Sequence, residues 1–304
     1  MSDAVKPPVA PLSKGAVFLR RLLSFTILWG IVLGSLFSGN KILSDYVFVI
    51  ILGFLAAAGL QEFYAMVRKL GHACYAKEGI FGGLLLLVAT FFYISGQFGT
   101  KPPSRVNDFE TSFLILFVLG LCIRQFVSRH TTTGIVAIST TLFGLLYIPW
   151  LLNFIQKINF FGRGVDGHYY VLYFVFVTKL SDCGAYMVGS LIGKHKMIPR
   201  ISPGKTWEGF GGAIVVSTAA SVIFAQIAGA HLLGMTLTNS IVLGVMLSGA
   251  AVVGDLIESL FKREAGLKDS GHLFPGIGGI LDLLDSLLFN APLMYLYLRH
   301  ILTP

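Results

Sequence analysis

Charged side chains recur inside long apolar stretches of the second half of the sequence. They are Lys179 with Asp182, Asp255 with Glu258, and Asp282 with Asp285, and the hydroxyl of Ser259 accompanies the second pair. Spacings of three or four residues place each group on one face of a helix. An ionisable residue inside a membrane helix costs about 2.5–3.5 kcal/mol on insertion scales, so these positions indicate a functional site.

The carboxylates in this region are too numerous to be explained by ion pairs alone. Eight of the 15 Asp and Glu residues lie between Asp182 and Asp285. A structural pair between Lys179 and Asp182 would explain that pair but not the carboxylates of the later helices. Mg²⁺ prefers oxygen ligands and is commonly held by one or two carboxylates together with substrate phosphates. The pattern therefore predicts a site for one or two Mg²⁺ ions.

Basic, glycine-rich segments accompany the carboxylates and could bind phosphate. The cations are Lys194, Lys196, Arg200 and Lys205 in one loop, and Lys262, Arg263 and Lys268 in the other. Glycines at 204–212 and 276–279 would let backbone amides approach phosphate oxygens. A single glycine-rich segment of this kind is more simply a turn between helices. Its recurrence beside both groups of carboxylates favours phosphate binding.

Other motifs of phosphate and metal chemistry do not fit. The 202–206 segment contains Gly-Lys-Thr but lacks the earlier glycine of a P-loop, and no His-Glu-x-x-His zinc motif occurs. Asp182 is followed by Cys-Gly-Ala-Tyr, a poor match to the alcohol-phosphotransferase pattern. The three cysteines are too scattered for a disulfide framework or a zinc site.

The elements that must position these groups are membrane helices. Hydrophobic residues make up 55% of the 304 positions and charged residues only 12%, against about 25% charged in soluble domains. We predict an all-α polytopic membrane protein, because open strands cannot satisfy their backbone in lipid. The nine predicted spans are about 22–39, 46–66, 80–97, 110–124, 133–155, 168–190, 209–230, 237–261 and 277–298.

The distribution of basic residues predicts the orientation. Alternate loops carry 16 Lys and Arg on one side and 6 on the other, with Lys179 inside a span. By the positive-inside rule the N-terminus is cytoplasmic. The net charge of +8 is then a topology signal, and nucleic acid is not an expected partner. We divide the chain into a cytoplasmic tail (1–21), a transmembrane scaffold that could include a lipid-entry groove (22–167), and a catalytic transmembrane region (168–304).

The segment from Ser259 to Asp285 resembles the signature of the phosphatidate cytidylyltransferases, or CDP-diacylglycerol synthases. The matching positions are Ser259, Lys262, Arg263, Lys268, Asp269, Pro275, Gly278, Gly279, Asp282 and Asp285. Upstream, the 182–189 and 202–209 segments look like two other blocks of that family, and Glu62-Phe-Tyr64 resembles a shorter one.

The resemblance implies a reaction in which CTP and phosphatidate give CDP-diacylglycerol and pyrophosphate, with Mg²⁺ as cofactor. An oxygen of the lipid phosphate attacks the α-phosphorus of the nucleotide, and because it is already anionic no strong base is needed. Expected partners are CTP, phosphatidate and the lipid bilayer, with the oligomeric state left open between monomer and homodimer. The expected location is the cell (inner) membrane, with the active site facing the cytoplasm.

The resemblance also implies roles for individual residues. Asp255, Asp282 and Asp285 would form the metal-binding core, with Asp182 a further ligand. Lys268 and Asp269 join that core as catalytic candidates. The expected substrate-binding residues are Asp182, Ser202, Lys205, Thr206, Ser259, Lys262, Arg263, Gly278 and Gly279.

Two positions depart from the family pattern. Ile277 stands where the family usually has His before the glycine pair, and Leu283 stands where it usually has Arg. The substitutions remove a hydrogen-bonding group and a phosphate or carboxylate partner, so either other residues, such as His272, compensate or the substrate differs.

Two alternative functions remain: a CTP-dependent lipid kinase of related architecture, and an ion-coupled transporter, which would spread its carboxylates along a pore.

Overall fold

The computed structural model describes residues 30, 33–34, 36–37, 39–95, 103–128, 133–162, 164–271 and 278–303. The described chain is built mainly from nine α-helices. They are α1 (Lys41–Lys69), α2 (Ala76–Ile94), α3 (Pro103–Val127), α4 (Gly134–Leu145), α5 (Leu151–Asn159), α6 (Gly167–Ile192), α7 (Trp207–Ala228), α8 (Leu237–Glu264) and α9 (Ile280–Tyr297). A five-residue π-helical turn, Leu146–Trp150, joins α4 to α5, and a second, Leu298–Leu302, extends α9.

The prediction of a polytopic helical membrane protein is confirmed. Eight helical stretches of the described chain are long and apolar enough to cross a membrane, and they correspond to the second to ninth predicted spans. The first predicted span and the 1–21 tail lie largely outside the described residues. The fifth span is irregular at its centre, because Pro149 has no amide hydrogen for the helical ladder and lies in the first π-turn.

The loop expected between the sixth and seventh spans contains a short β-hairpin. Strand β1 (Lys196–Ile198) pairs antiparallel with β2 (Ser202–Thr206). Thr206 ends β2 and begins α7, because its hydroxyl accepts a hydrogen bond of 3.1 Å from the amide of Gly209. The sequence predicted only a loop here, since β1 has just three residues and β2 contains Pro203 and Gly204, which are uncommon inside strands. The hairpin gives the basic loop a fixed shape.

Glycines let the helices of the second half approach closely. A Cβ atom on Gly184 of α6 would lie 2.8 Å from the Gly212 carbonyl oxygen of α7, and one on Gly212 would lie 2.9 Å from that of Gly184. Such contacts are typical of membrane helix packing, where small residues allow van der Waals contact between backbones. A Cβ on Gly254 of α8 would lie 2.5 Å from the backbone oxygen of Asp285 in α9. The backbones that carry Asp255 and Asp285 are therefore in direct contact.

One end of the bundle collects the groups that carry chemistry. The C-terminal parts of α6 and α8, the N-terminal ends of α7 and α9, and the β-hairpin meet there. Helix α9 lies at the centre of the bundle, since 67% of its apolar stretch is buried inside the protein. A continuous buried cluster includes Tyr64, Ile148, Tyr173 and Leu281, so the two halves of the chain share one core.

Candidate active site

A cavity of about 550 Å³ opens where these helix ends meet the hairpin. Its walls differ in chemical character. One is acidic and formed by Asp182, Asp255, Asp282 and Asp285; another is the hairpin with Ser202, Gly204, Lys205 and Thr206; and an apolar part includes Ala185, Tyr186, Met197, Phe210 and Val252. The cavity thus combines oxygen ligands, a cation and hydroxyl groups with an apolar surface.

Three carboxylates meet beside this cavity. Asp255, Glu258 and Asp285 each offer an oxygen, and these atoms lie within 4.8 Å of one another. Glu258 is only 1% exposed, and neither of its carboxylate oxygens accepts a hydrogen bond from the described residues. Lys262, one helical turn away, forms an ion pair with Glu258, but its ammonium is shared with Asp282. A buried carboxylate with so little compensation is costly unless a cation joins it.

The lysines of the site are divided among the carboxylates. The Lys205 ammonium from β2 lies 2.7 Å from Asp255 Oδ2. The Lys262 ammonium lies 2.5 Å from Asp282 Oδ1 and also contacts Glu258. Only Lys205 of these two lines the cavity. Both lysines were predicted to bind phosphate. In the structure the Lys262 side chain is only 11% exposed and bridges α8 to α9.

Asp282 is engaged by the backbone at the start of α9. Its Oδ2 atom accepts hydrogen bonds from the Gly279 amide at 2.7 Å, the Ser270 amide at 3.1 Å and the Ser270 hydroxyl at 2.9 Å. Gly278 has a φ of 111°, which favours glycine, and a side chain there would collide with Asp282. The Gly279 amide is thus already bonded to a carboxylate, and phosphate binding by Gly278 and Gly279 stays a prediction.

Glu62 of α1 completes the cap of the same helix. Its two oxygens accept hydrogen bonds of 2.9 Å from the amides of Ile280 and Leu281, and one accepts the Ser270 hydroxyl at 3.0 Å. Negative charge at a helix N-terminus is favourable because the first amides have no helical partner. Sequence analysis gave Glu62 no place in the site, although its resemblance to a short family block was a signal.

Lys179 of α6 also belongs to this end of the bundle. Its ammonium donates to the Leu283 carbonyl oxygen at 3.0 Å and to the Ser286 hydroxyl at 3.2 Å, and it lies 3.5 Å from Asp182 Oδ2. The predicted pair with Asp182 is therefore present, together with shorter contacts to α9. No role was predicted for Lys179 beyond that pair.

The structure separates the predicted residues by location. Asp182, Ser202, Lys205, Thr206, Asp255, Asp282 and Asp285 line the cavity. Ser259 is buried beneath it and donates to Asp255 Oδ1 at 3.2 Å. The Arg263 guanidinium holds the carbonyl oxygens of Ile201 and Leu267, while Lys268 and Asp269 are exposed and do not line the cavity. The roles of these residues stay predictions, and His272 and Ile277 lie outside the described residues.

The donor set fits a divalent cation. Five carboxylates lie around the cavity and the carboxylate cluster, namely Asp182, Asp255, Glu258, Asp282 and Asp285, and their basic partners in the described chain are Lys179, Lys205 and Lys262. Two carboxylates are therefore unmatched by lysine, the charge of one Mg²⁺ ion. The predicted metal-binding core was Asp255, Asp282 and Asp285. In the structure Glu258 takes the place of Asp282 in the carboxylate cluster, because the Asp282 side chain is turned towards the N-terminal cap of α9.

Comparison with known proteins adds an independent observation. A model of the cytidylyltransferase family matches residues 19–301. The chain is 32% identical to a phosphatidate cytidylyltransferase of Mycobacterium bovis, over 78% of this chain and 76% of the relative. It is 31% identical to the enzyme of that name from Bacillus subtilis and 29% identical to that from Haemophilus influenzae, each over 90% of this chain and 96% of the relative.

Proposed function

The chain belongs to the cytidylyltransferase family, and we propose that it transfers a cytidylyl group from CTP to phosphatidate, giving CDP-diacylglycerol and pyrophosphate. It is a multi-span membrane enzyme of phospholipid biosynthesis. The observation that carries the proposal is the cavity at one end of the bundle, where surplus carboxylates face a hairpin that bears Lys205. A triphosphate, a lipid phosphate and a divalent cation require that combination of groups.

Asp255, Glu258 and Asp285 would hold the metal. This assignment rests on the proximity of their oxygens and on the buried carboxylate of Glu258, which shares its one cationic partner, Lys262, with Asp282. Mg²⁺ bound there would supply charge neutralisation at the phosphates and stabilise the departing pyrophosphate. Asp182 and Asp282 border the same cavity, and they would shape the field around the ion.

The protein's own groups would orient the two phosphates. Lys205 is held by Asp255 and by the Val252 carbonyl oxygen, so its ammonium is placed beside the carboxylates before substrate arrives. Ser202 and the backbone at Gly204 line the same hairpin wall and would donate to phosphate oxygens. Holding the lipid phosphate in line with the α-phosphorus converts a bimolecular reaction into an effectively unimolecular one.

The apolar wall suits the lipid substrate. Tyr186 lines the cavity and is 77% exposed, and Met197 and Phe210 lie on the hairpin and α7 beside it. Phosphatidate carries its phosphate at the membrane interface, so a cavity with an apolar side and a charged floor can take the headgroup while the acyl chains stay in lipid. This arrangement supports lateral entry from the bilayer.

We place the cavity at the cytoplasmic face of the cell (inner) membrane. The basic loops at this end of the bundle, 194–205 and 262–268, belong to the side that carries 16 of the Lys and Arg residues, and the positive-inside rule makes that side cytoplasmic. CTP and Mg²⁺ are available there. Cysteine-accessibility labelling at exposed His195, after His195→Cys, tests the orientation in intact cells.

The product released from CTP tests the reaction. Purified full-length protein is incubated with CTP, Mg²⁺ and phosphatidate, and pyrophosphate and CDP are measured separately. Pyrophosphate with CDP-diacylglycerol is the expected result. Release of CDP with a newly phosphorylated lipid would instead identify a lipid kinase, and release of neither would reject the cytidylyltransferase reaction.

A further inference from the structure

The acidic wall of the cavity, formed by Asp182, Asp255, Asp282 and Asp285, is its floor. Lys179 is a partly buried cation beside this floor. It is the only Lys or Arg of α6, and its side chain is 23% exposed. Its two shortest contacts, at 3.0 and 3.2 Å, are to Leu283 and Ser286 of α9. The Asp182 oxygen is more distant, at 3.5 Å. The Lys179 ammonium is therefore directed at α9, and its contacts extend beyond the ion pair with Asp182 in its own helix.

Helix α9 needs a cation from elsewhere. Its first two turns contribute Asp282 and Asp285, and the residues between them are leucines. Lys262 serves Asp282, whereas Asp285 has no ion-pair partner among the described basic groups. Lys179 reaches the same turn of α9 through the backbone of Leu283, and its charge acts on both Asp182 and Asp285.

A hydroxyl group fixes this contact. Ser286 is fully buried, accepts from Lys179 and donates to Asp182 Oδ2 at 3.4 Å. The ammonium, the hydroxyl and the carboxylate thus form one connected network between α6 and α9. A connected network of this kind holds a charge in one position, because moving one member weakens its contacts with the others.

We propose that Lys179 is a positioning residue that sets the charge of the cavity floor, leaving a surplus of two carboxylates for one divalent cation. The inference rests on the proposed function. A floor with a further negative charge would hold the cation more tightly but repel the triphosphate of CTP. Lys179 balances these opposing effects without contacting substrate.

Lys179→Gln tests the proposal, because glutamine keeps a hydrogen-bond donor but has no charge. Mn²⁺ binding to the full-length protein in detergent is followed by the electron paramagnetic resonance of free Mn²⁺, in the absence of CTP. We expect Mn²⁺ to bind about tenfold more tightly and the KM for CTP to rise about tenfold, with a smaller change in kcat. Lys179→Arg should restore both constants to within about threefold of the unmodified protein.

Two further variants separate charge from structure. Ser286→Ala breaks the network but keeps the charge, so Mn²⁺ affinity should stay within about threefold. The double variant Lys179→Gln/Asp182→Asn also removes a carboxylate of the cavity and should bind Mn²⁺ more weakly than Lys179→Gln. If Lys179→Gln does not fold, Lys179→Met carries the same test, because methionine removes the charge and keeps most of the side-chain volume.

Unchanged Mn²⁺ affinity in folded Lys179→Gln would overturn the proposal and leave Lys179 as a tether between α6 and α9. A double variant that binds Mn²⁺ as tightly as Lys179→Gln would also overturn it. Failure of the proposed function is distinguishable, since the unmodified protein would then release no pyrophosphate, whatever the Mn²⁺ affinities of the variants.

Discussion

Two buried groups of charges in this protein are built on opposite principles. In the scaffold, Lys157 of α5 and Glu110 of α3 form an ion pair of 2.6 Å with both side chains 5% exposed. The second oxygen of Glu110 accepts from Asn153 at 2.6 Å, and Lys157 also donates to Asn107. Charge is matched one to one there. Around the cavity, five carboxylates share three lysines, and Glu258 accepts no hydrogen bond from the described residues.

The difference teaches how to distinguish structural from functional charge inside a membrane protein. A matched pair whose hydrogen bonds are satisfied stabilises the packing of two helices and has nothing left to bind. A cluster with surplus charge destabilises the protein until another ion arrives, so it persists where that ion is part of the activity. The charge balance distinguishes the two groups.

Removing a carboxylate of the cavity should have the largest effect on activity. We expect Asp285→Asn or Asp282→Asn to lower kcat by more than about 10³-fold, equivalent to about 4 kcal/mol of transition-state stabilisation. The protein should stay folded in membranes, which its thermal unfolding midpoint in detergent would show. Full Mg²⁺-dependent turnover in either variant would remove that carboxylate from the mechanism.

Breaking the Lys157–Glu110 pair of the scaffold should instead lower the stability of the protein and leave its Mg²⁺ requirement unchanged. Glu110→Gln leaves Lys157 buried without its counter-ion, and we expect a loss of about 3 kcal/mol in the free energy of unfolding. The activation constant for Mg²⁺ should be unchanged, measured on the fraction that remains folded. The matched control is Glu110→Leu/Lys157→Met, which removes both charges and should recover most of the stability. A changed Mg²⁺ requirement would contradict the structural role of this pair.

Separating the backbones of α8 and α9 should affect the cavity without changing its charge. In Gly254→Ala the added Cβ would meet the Asp285 carbonyl oxygen, so the cluster carboxylates of α8 must shift relative to Asp285 of α9. We expect kcat to fall about tenfold and the free energy of unfolding to fall by about 1–3 kcal/mol. Gly249→Ala is the matched control on the same helix, because a Cβ there meets no atom within 4 Å. Equal behaviour of the two variants would contradict the importance of the close approach.

The exposed basic loop should have the smallest effect. We expect Lys268→Ala to raise the KM for CTP by less than about tenfold, because an exposed charge contributes mainly through long-range attraction. The effect should decrease as ionic strength rises, since salt screens exposed charges. Kinetics at two salt concentrations provide the measurement, and a KM equal to that of the unmodified protein at both would place this loop outside the site.

Much of the helical framework was predictable because its signals are local. Apolar runs of membrane-spanning length gave the eight spans of the described chain, and three-residue spacing gave the paired carboxylates of α9. The hairpin was not predictable, since β1 has three residues and an alternating pattern needs more. The role of Glu62 was hidden for another reason: it meets Ser270 across 208 residues of sequence, and no periodicity reports a contact of that range.

The sequence by itself determined that this is a membrane protein, which helices carry charge and which side chains share a helical face, because length, hydropathy and helical period are properties of one segment at a time. Only the tertiary structure decided which faces meet. The packing of α9 against α8 at Gly254 brings Asp285 to Asp255 and Glu258, and Asp282 is turned towards the cap it forms at the start of α9. It also brings Lys179 to the backbone of Leu283, where the helix itself has no cation.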